Sequence, residues 1–243
     1  MPTVAEHYAD HLARIYVWMA GGIQAAFEQG SADIAPFLAA PGEQRVAIDL
    51  GAGFGMHAIP IATAGYFVTA IDSSSILLAE LQTQAAGLSV RAVEDDLLNF
   101  QQHVTREADL IVCMGDTLTH ISLQSDVDDL LRKVARSLKP GGKFVATFRD
   151  YTSPLSGQAR FIPVRSDESR ILTCFLEYGP EHVMVHDIVH ERSGDGWRMR
   201  VSAYPKLRLS PTHVRQSLQN QDLTVVLEAA PRGMIRVVAT SVV

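Results

Sequence analysis

The stretch VAIDLGAGFGMHAIPIA, Val46 to Ala62, constrains the fold of this chain more than any other. Val46 to Leu50 has the nearly unbroken apolar character of a buried strand in a parallel sheet. Gly51, Ala52, Gly53, Phe54 and Gly55 then make a tight turn into an apolar helix. Alternate glycines remove Cβ where a ligand must approach the backbone, and the amides that open the helix form a polar, partly positive rim. The pattern predicts a small-molecule pocket at the carboxyl end of the first strand.

Spacing separates two classes of ligand that use such a turn. A dinucleotide fold wants G-x-G-x-x-G, whose third glycine falls on Met56 here. The chain instead has G-x-G-x-G, with Asp49 two residues before the first glycine. This resembles the first motif of the class I S-adenosylmethionine (SAM)-dependent methyltransferases, D/E-x-G-x-G-x-G, matched by Asp49, Gly51, Gly53 and Gly55. The resemblance implies a Rossmann-like α/β fold, a seven-stranded sheet flanked by helices, with SAM as cofactor.

With 243 residues, 47% of them hydrophobic and 20% charged, the chain can bury a full core as one elaborated domain. Its expected parts are an N-terminal helical segment (1–44), a SAM-binding core (45–149), an inserted β cap (150–205), and a C-terminal helix and β-hairpin (206–243). A net charge of −6 argues against nucleic acid, whose phosphates need clustered Lys and Arg. No apolar run reaches the length of a membrane span, and Met1 to Asp10 lacks the layout of a signal peptide, so a cytoplasmic location is expected. Cys113 and Cys174 belong to no C-x-x-C pair and read as reduced thiols.

Tyr8, Leu12, Ile15 and Met19 recur at helical spacing, with His7, His11, Arg14 and Trp18 on another face. Such a helix either packs on the core with its polar side in water or forms a lid whose Tyr8, Tyr16 or Trp18 closes over the cofactor. Gly21 and Gly22 interrupt it, and Gly30 to Gln44, with Pro36, Pro41 and Gly42, reads as a connection holding at most a short helix.

A second apolar strand, Phe67 to Ile71, ends in Asp72, with Ser73 or Ser74 able to cap the next helix. A carboxylate there is placed to accept hydrogen bonds from a ribose diol. Val90 to Val93 reads as a third strand, followed by the acidic turn Glu94, Asp95 and Asp96, then Leu97; in the resembled family this place contacts adenine, and Asp96 with Leu97 matches best. Asp109 to Met114 is a fourth, continuously apolar strand running into Gly115, Asp116, Thr117, Leu118, Thr119 and His120. That loop resembles the G-N-S-x-x-H-L loop of glycine and sarcosine N-methyltransferases, with Asp116 in place of Asn. From Ser125, an N-cap candidate, Val127, Leu130, Leu131, Val134 and Leu138 give a core-facing helix, and Pro140, Gly141 and Gly142 turn the chain into a fifth strand, Lys143 to Phe148.

The resemblance therefore implies cofactor contacts from Asp49, Gly51, Ala52, Gly53, Phe54, Gly55, Asp72, Ser73, Asp95, Asp96, Leu97, Met114 and Gly115. His120 is the candidate general base, with a hydrogen bond closing its own loop as the alternative, and Asp116 orients the acceptor or helps remove its proton. Tyr16, Arg149, Tyr151 and Arg160 are candidate substrate contacts, because arginine forks suit a substrate carboxylate; Arg149 and Arg160 anchoring the insertion by a salt bridge is the plainer account.

Beyond Asp150 the α/β pattern stops. Arg170 to Tyr178, His182 to Glu191 and Trp197 to Ala203 read as strands of a small antiparallel sheet, suited to a substrate cap or to a contact in a homodimer. His182, His186 and His190 would share a strand face, but such a spacing spans ~13 Å between neighbours, too far for one metal ion, and no metal is expected. A helix from about Thr212 and strands Leu223 to Ala229 and Met234 to Thr240 complete the seven-stranded sheet, the last strand antiparallel. The expected activity is methyl transfer from SAM to N or O of a small organic molecule. A non-catalytic SAM-binding protein and a nicotinamide-dependent reductase are the alternatives.

Overall fold

The computed structural model describes residues 4–39 and 45–242. Pro41 and Gly42 of the expected connection lie outside the described residues. Among the described residues, eleven strands form two sheets, one of seven strands and one of four.

An N-terminal helical run is built from α1 (Val4–His7), a π-helical stretch (Tyr8–Leu12) and α2 (Ala13–Met19). Helix α3 (Ile23–Ile34) follows, then a 3₁₀ turn (Ala35–Phe37). The helix continues through Gly30, which the sequence reading took as the start of a connection. A Cβ at Gly30 would overlap the Met56 carbonyl, so glycine is needed there for close backbone packing, not for a turn.

The core then alternates as expected: β1 (Arg45–Leu50), α4 (Ala58–Thr63), β2 (Tyr66–Asp72), α5 (Ser75–Gln84), β3 (Val90–Glu94), a 3₁₀ stretch (Leu97–His103), β4 (Ala108–Cys113), α6 (Gln124–Ser137) and β5 (Leu138–Phe148). Ser125 is not the N-cap of α6; Leu123 holds that position without a side-chain bond, leaving Ser125 in the first turn. The Pro-Gly-Gly segment lies within β5, as an irregularity in its pairing with β4, because the register jumps from Ala108↔Leu138 to Leu110↔Lys143.

The chain then leaves the core to build β6 (Phe161–Ser166), β7 (Arg170–Tyr178), β8 (His182–Ser193) and β9 (Gly196–Leu207), paired in that order and antiparallel. It returns through α7 (Pro211–Gln219) to the hairpin β10 (Leu223–Ala230) and β11 (Met234–Ser241). The sequence reading missed β6, whose Pro163 suits only an edge strand, and ended β9 too early, before Tyr204 to Leu207.

The large sheet has the order β10-β11-β5-β4-β1-β2-β3, parallel from β5 to β3, with β11 antiparallel to both neighbours. Period-2 alternation sorts its side chains into two layers. Val46, Ile48 and Leu50 pack with Ile111, Leu130 and Val134 on one face, while Ala47, Val68 and Ala70 pack with Ile61, Leu78 and Leu81 on the other. With helices covering both faces, the open place is beyond the carboxyl ends of the strands, where ligands of such sheets bind. No helix among the described residues is long and apolar enough to cross a membrane.

The inserted sheet and the N-terminal run pack on each other over that end. Leu12 and Ile15 meet Leu172 and Val189. His7 and His11 are not in water, as the amphipathic reading allowed: His7 Nε2 lies 2.9 Å from Asp187 Oδ2, and His11 Nε2 lies 3.1 Å from the Asp187 carbonyl. His7 and His11 thus join Leu12 and Ile15 in docking this run, while Arg14 stays exposed. Trp18, a lid candidate, hydrogen-bonds Asp167 and lies beside Arg165 and Arg170. The cysteines are unpaired, and Cys174 donates to Asp187 at 2.9 Å.

Candidate functional site

At the end of β1 the chain must turn tightly, and the N–H groups of Gly51 and Ala52 both donate to the Ile71 carbonyl of β2, at 2.8 and 3.0 Å. Gly51, Gly53 and Gly55 all have positive φ, at 78°, 53° and 94°. Their surroundings differ. A Cβ on Gly51 would overlap the Thr117 side chain, and one on Gly55 would crowd Ile59 and Leu81. Gly51 and Gly53 border a cavity of ≈640 Å³, a volume suited to a small organic ligand; Gly55 does not line it and serves the turn's backbone and its packing on Ile59 and Leu81.

One end of this cavity is built from the core. Asp72 closes β2, its Oδ2 accepting from the Gly53 N–H and its Oδ1 from the Ser74 N–H, both at 2.8 Å. Burial raises its pKa, against the amides that favour the charged form. Each oxygen retains a lone pair for a ligand hydroxyl. Ser73, Leu77, Asp96, Leu97 and Leu98 continue this wall. Asp96 accepts from the Leu98 N–H at 2.8 Å and so starts the 3₁₀ stretch. Its neighbour Asp95, also expected at the cofactor, does not line the cavity: it accepts from Asn99 at 2.9 Å and lies 2.6 Å from His103 Nε2.

Asp49, Ala52, Phe54 and Met114 are buried behind the cavity and not among its lining residues. Phe54 stacks with Phe27 and meets the Tyr16 ring edge-on. Asp49 is held uncharged to a higher pH than usual, with a pKa raised to about 6 by burial, and its Oδ2 has no hydrogen-bond partner.

The other end is assembled from elements distant in sequence. Gly115 reaches the cavity, and its N–H donates to Thr147 Oγ1 at 2.9 Å. Asp116 does not reach it. Held at φ 78°, its carboxylate turns inward to accept from the Arg149 N–H at 2.9 Å, from the Tyr151 hydroxyl at 2.9 Å and from Lys206, with which it forms a buried ion pair. Burial would raise its pKa, but Lys206 and these donors outweigh that and hold it below the usual carboxylate range. Asp116 therefore braces the loop, and the expectation that it handles the acceptor's proton is corrected, because its oxygens are already engaged.

Arg149, Tyr151 and Arg160 are likewise not brought to the cavity. The Arg149 guanidinium donates to the Arg232 carbonyl at 2.7 Å, Tyr151 is bound to Asp116, and Arg160 lies over the Phe175 ring. Among the described residues lining the cavity there is no Lys or Arg, so the expected arginine fork for a substrate carboxylate is absent there.

What does line this end is His120, with Tyr8, Tyr16, Ile121, Met184 and Pro205. His120 sits against the Tyr8 and Tyr204 rings at 5.7 and 5.6 Å between centroids. Its Nε2 is buried with no hydrogen-bond partner, so it does not close its own loop through that atom. Burial first, and Lys206 second, push its pKa down to about 3, leaving the imidazole neutral. Tyr8 and Tyr16 face each other at 5.8 Å, and burial raises both of their pKa values. Asp126 adds a third carboxylate to those of Asp72 and Asp96.

Sequence reasoning missed Thr117 as the neighbour that requires Gly51, and Lys206 as the counter-charge of Asp116. The signal for Lys206 was a Lys inside the otherwise uncharged run Ala203 to Leu207, a place where an unpaired charge is rarely buried.

Residues 47–142 match a family model described as "Methyltransferase domain". The cypemycin N-terminal methyltransferase of Streptomyces sp is 33% identical over 138 residues, covering 55% of this chain and 54% of that protein. The glycine/sarcosine N-methyltransferase of Parasynechococcus marenigrum is 27% identical over 142 residues, covering 57% and 49%. The chain thus spans about half the length of the curated relatives it matches. In fold it is similar to SAM-bound CalS10, an amino pentose methyltransferase from Micromonospora echinaspora, with a TM-score of 0.73 and 16% identity, covering 95% and 96% of the two chains.

Proposed function

We propose that this chain, whose residues 47–142 match the methyltransferase domain model, is a class I SAM-dependent methyltransferase that moves a methyl group from SAM to the nitrogen of a small amine. The observation that carries the choice of an amine is the composition of the cavity wall. Beyond Asp72 and Asp96, which the cofactor would occupy, Asp126 and two tyrosine rings line it without a Lys or Arg among the described residues, a lining that suits an amine and disfavours a free carboxylate. The similarity to an amino pentose methyltransferase and to glycine/sarcosine N-methyltransferases supports nitrogen as acceptor.

The residues fit the cofactor. Asp72 would take the ribose hydroxyls, Asp96, Leu97 and Leu98 would hold the adenine, and the exposed backbone of Gly51 and Gly53 would face the amino-acid portion. When bound, SAM supplies a methyl group on a positively charged sulfur, already activated for displacement by a nitrogen lone pair. The chain's own work is then placement and exclusion of water, worth ~7–11 kcal/mol when the reacting atoms are held at ~3 Å. Tyr8 and Tyr16 close the cavity on the side of the N-terminal run. His120 stays neutral and offers Nε2 to an amine N–H, which orients the nitrogen lone pair toward the methyl group; the proton given up by the methylated nitrogen passes to solvent.

A small-molecule acceptor also fits the net charge of −6, which disfavours nucleic acid, and the two unpaired cysteines fit the reducing cytoplasm. The test has two arms. Isothermal titration with S-adenosylhomocysteine should give micromolar binding that weakens at least ten-fold in Asp72→Ala, and NADH should not bind. Transfer of label from methyl-labelled SAM to matched panels of amines, alcohols and carboxylic acids should mark the amines. Label on alcohols alone would overturn nitrogen as the acceptor, and binding without turnover on any panel would overturn catalysis.

A further inference from the structure

The inserted sheet has two sides: one is covered along its length, and the other is occupied only at one end, where Met184 and Pro205 line the cavity and His182 Nε2 lies 2.9 Å from the Ser122 carbonyl, and is bare toward the β8–β9 hairpin tip. On β8, Val183, Val185 and Val189 are buried against the body of the molecule, while His186, Ile188 and His190 face the other way. Cross-strand partners share a face. The pairs Ile188↔Val201, His190↔Met199 and Arg192↔Trp197 therefore put Val201, Met199 and Trp197 of β9 on the second side. Ile171↔His190 and Phe175↔His186 add β7 to it, and Phe161↔Phe175 adds β6.

On β9 the usual alternation is inverted. Trp197, Met199 and Val201 are exposed by 47%, 59% and 51%, whereas the intervening Arg198 and Arg200 lie on the opposite face, where Arg200 pairs with Glu191. Ile171 and Phe161 of the same outer face are exposed by 38% and 52%. A strand with one face in water places its apolar residues inward, so a contiguous apolar outer face marks a surface covered by something else.

We propose that this face is the contact between two copies of the chain, related by a two-fold axis near Ile188. Charge selects a second copy as the occupant. Arg192 stands at one end of the face, beside Trp197, and Glu177, which lies 3.1 Å from His186 Nε2 and is paired in the register with Met184 at the cavity mouth, stands at the other, roughly 27 Å away along the strands. A two-fold axis midway between them lays the Arg192 end of each copy on the Glu177 end of its partner. At that acidic end an open groove of ≈550 Å³, lined by Glu177, Glu181 and His182, can receive the tip of the partner's β8–β9 hairpin. Such an interface is isologous and closes on itself.

The size is adequate. Four strands at ~4.8 Å spacing and ~27 Å of length give roughly 500 Å² per copy, or about 1,000 Å² in all, near the lower bound for specific association. The dimer should therefore be reversible, with dissociation in the micromolar range.

Sedimentation velocity of the full chain from 1 to 100 μM tests the proposal independently of methyl transfer. The wild type should move from the chain mass of 26.5 kDa toward twice that value as concentration rises. Met199→Asp should raise the dissociation constant more than ten-fold. Glu177→Arg and Arg192→Glu should each weaken the dimer, and the two together should restore it. A wild type that stays monomeric at 100 μM would overturn the proposal. So would a dimer that Met199→Asp leaves intact, or charge reversals that fail to compensate each other while the variants keep the wild-type circular dichroism spectrum.

Discussion

The two ends of the cavity are built in opposite ways. The core end uses backbone and short local contacts: Gly51 and Gly53, with Asp72 bonded to the Gly53 and Ser74 amides, all lie within one βαβ unit. The acceptor end uses side chains far apart in sequence, with Asp116 bound to Lys206 and His120 against Tyr8 and Tyr204. A backbone cradle depends on a few glycines and tolerates change around it. A buried ionic brace fails when either partner is removed, because the other is left charged in an apolar place. The difference teaches that, under the proposed function, cofactor recognition would be a property of one segment, while acceptor recognition would depend on the whole fold being assembled.

Removing the brace should have the largest effect. Lys206→Met leaves Asp116 unpaired and should cost ~3–5 kcal/mol of stability in chemical denaturation, with Asp116→Asn in the same chain recovering much of it. A loss below ~1 kcal/mol would mean that the acceptor end is no more brittle than the core end.

The cradle is probed by Gly51→Ala, which combines a positive φ with overlap against Thr117. It should destabilise by ~2–3 kcal/mol and weaken S-adenosylhomocysteine at least ten-fold in titration calorimetry. Adding Thr117→Ala should relieve the overlap but not the backbone cost.

Acid sharpens the comparison, since the two ends hold titrating groups of opposite sign. His120 has its folded pKa lowered to about 3 from 6.5, so the unfolded chain binds a proton first as pH falls. The stability it contributes is present above about pH 6.5 and is lost toward pH 3, at up to ~1.4 kcal/mol per pH unit. His120→Gln should flatten that slope in denaturation curves taken between pH 6.5 and 4, and should lower the rate of methyl transfer to the amine at pH 7.

Asp49, behind the cradle, should give the smallest effect. Its folded pKa is raised to about 6 from 3.8, so its contribution is present below pH 3.8 and is lost as pH rises through 6. Asp49→Asn should therefore stabilise the chain by on the order of 1 kcal/mol at pH 7, with no gain at pH 3.5. A destabilised variant at pH 7 would show that the buried charge has a partner it needs.

Legibility in the sequence followed the same division. The alternation of strands and helices from Val46 to Phe148, the G-x-G-x-G turn and Asp72 could be read because each depends on neighbours within a few tens of residues. Arg149, Tyr151 and Arg160 were misread as substrate contacts because position at the end of a strand does not say which way a side chain turns. Edge strand β6 was hidden by Pro163, and helix α3 by Gly30, whose reason is the Met56 backbone across the fold.

The sequence by itself determined the class of fold, the glycine turn and the carboxylate that closes β2 at the cavity, since period-2 and period-3.6 patterning and glycine chemistry are local. Only the tertiary structure decided that Asp116 is a brace paired with Lys206, that His120 is neutral and aimed at the cavity, and that the outer face of the inserted sheet is bare toward its β8–β9 hairpin tip. Those outcomes depend on burial and on partners that meet across ~100 residues of chain, and desolvation and Coulomb interactions act through space, not along the sequence.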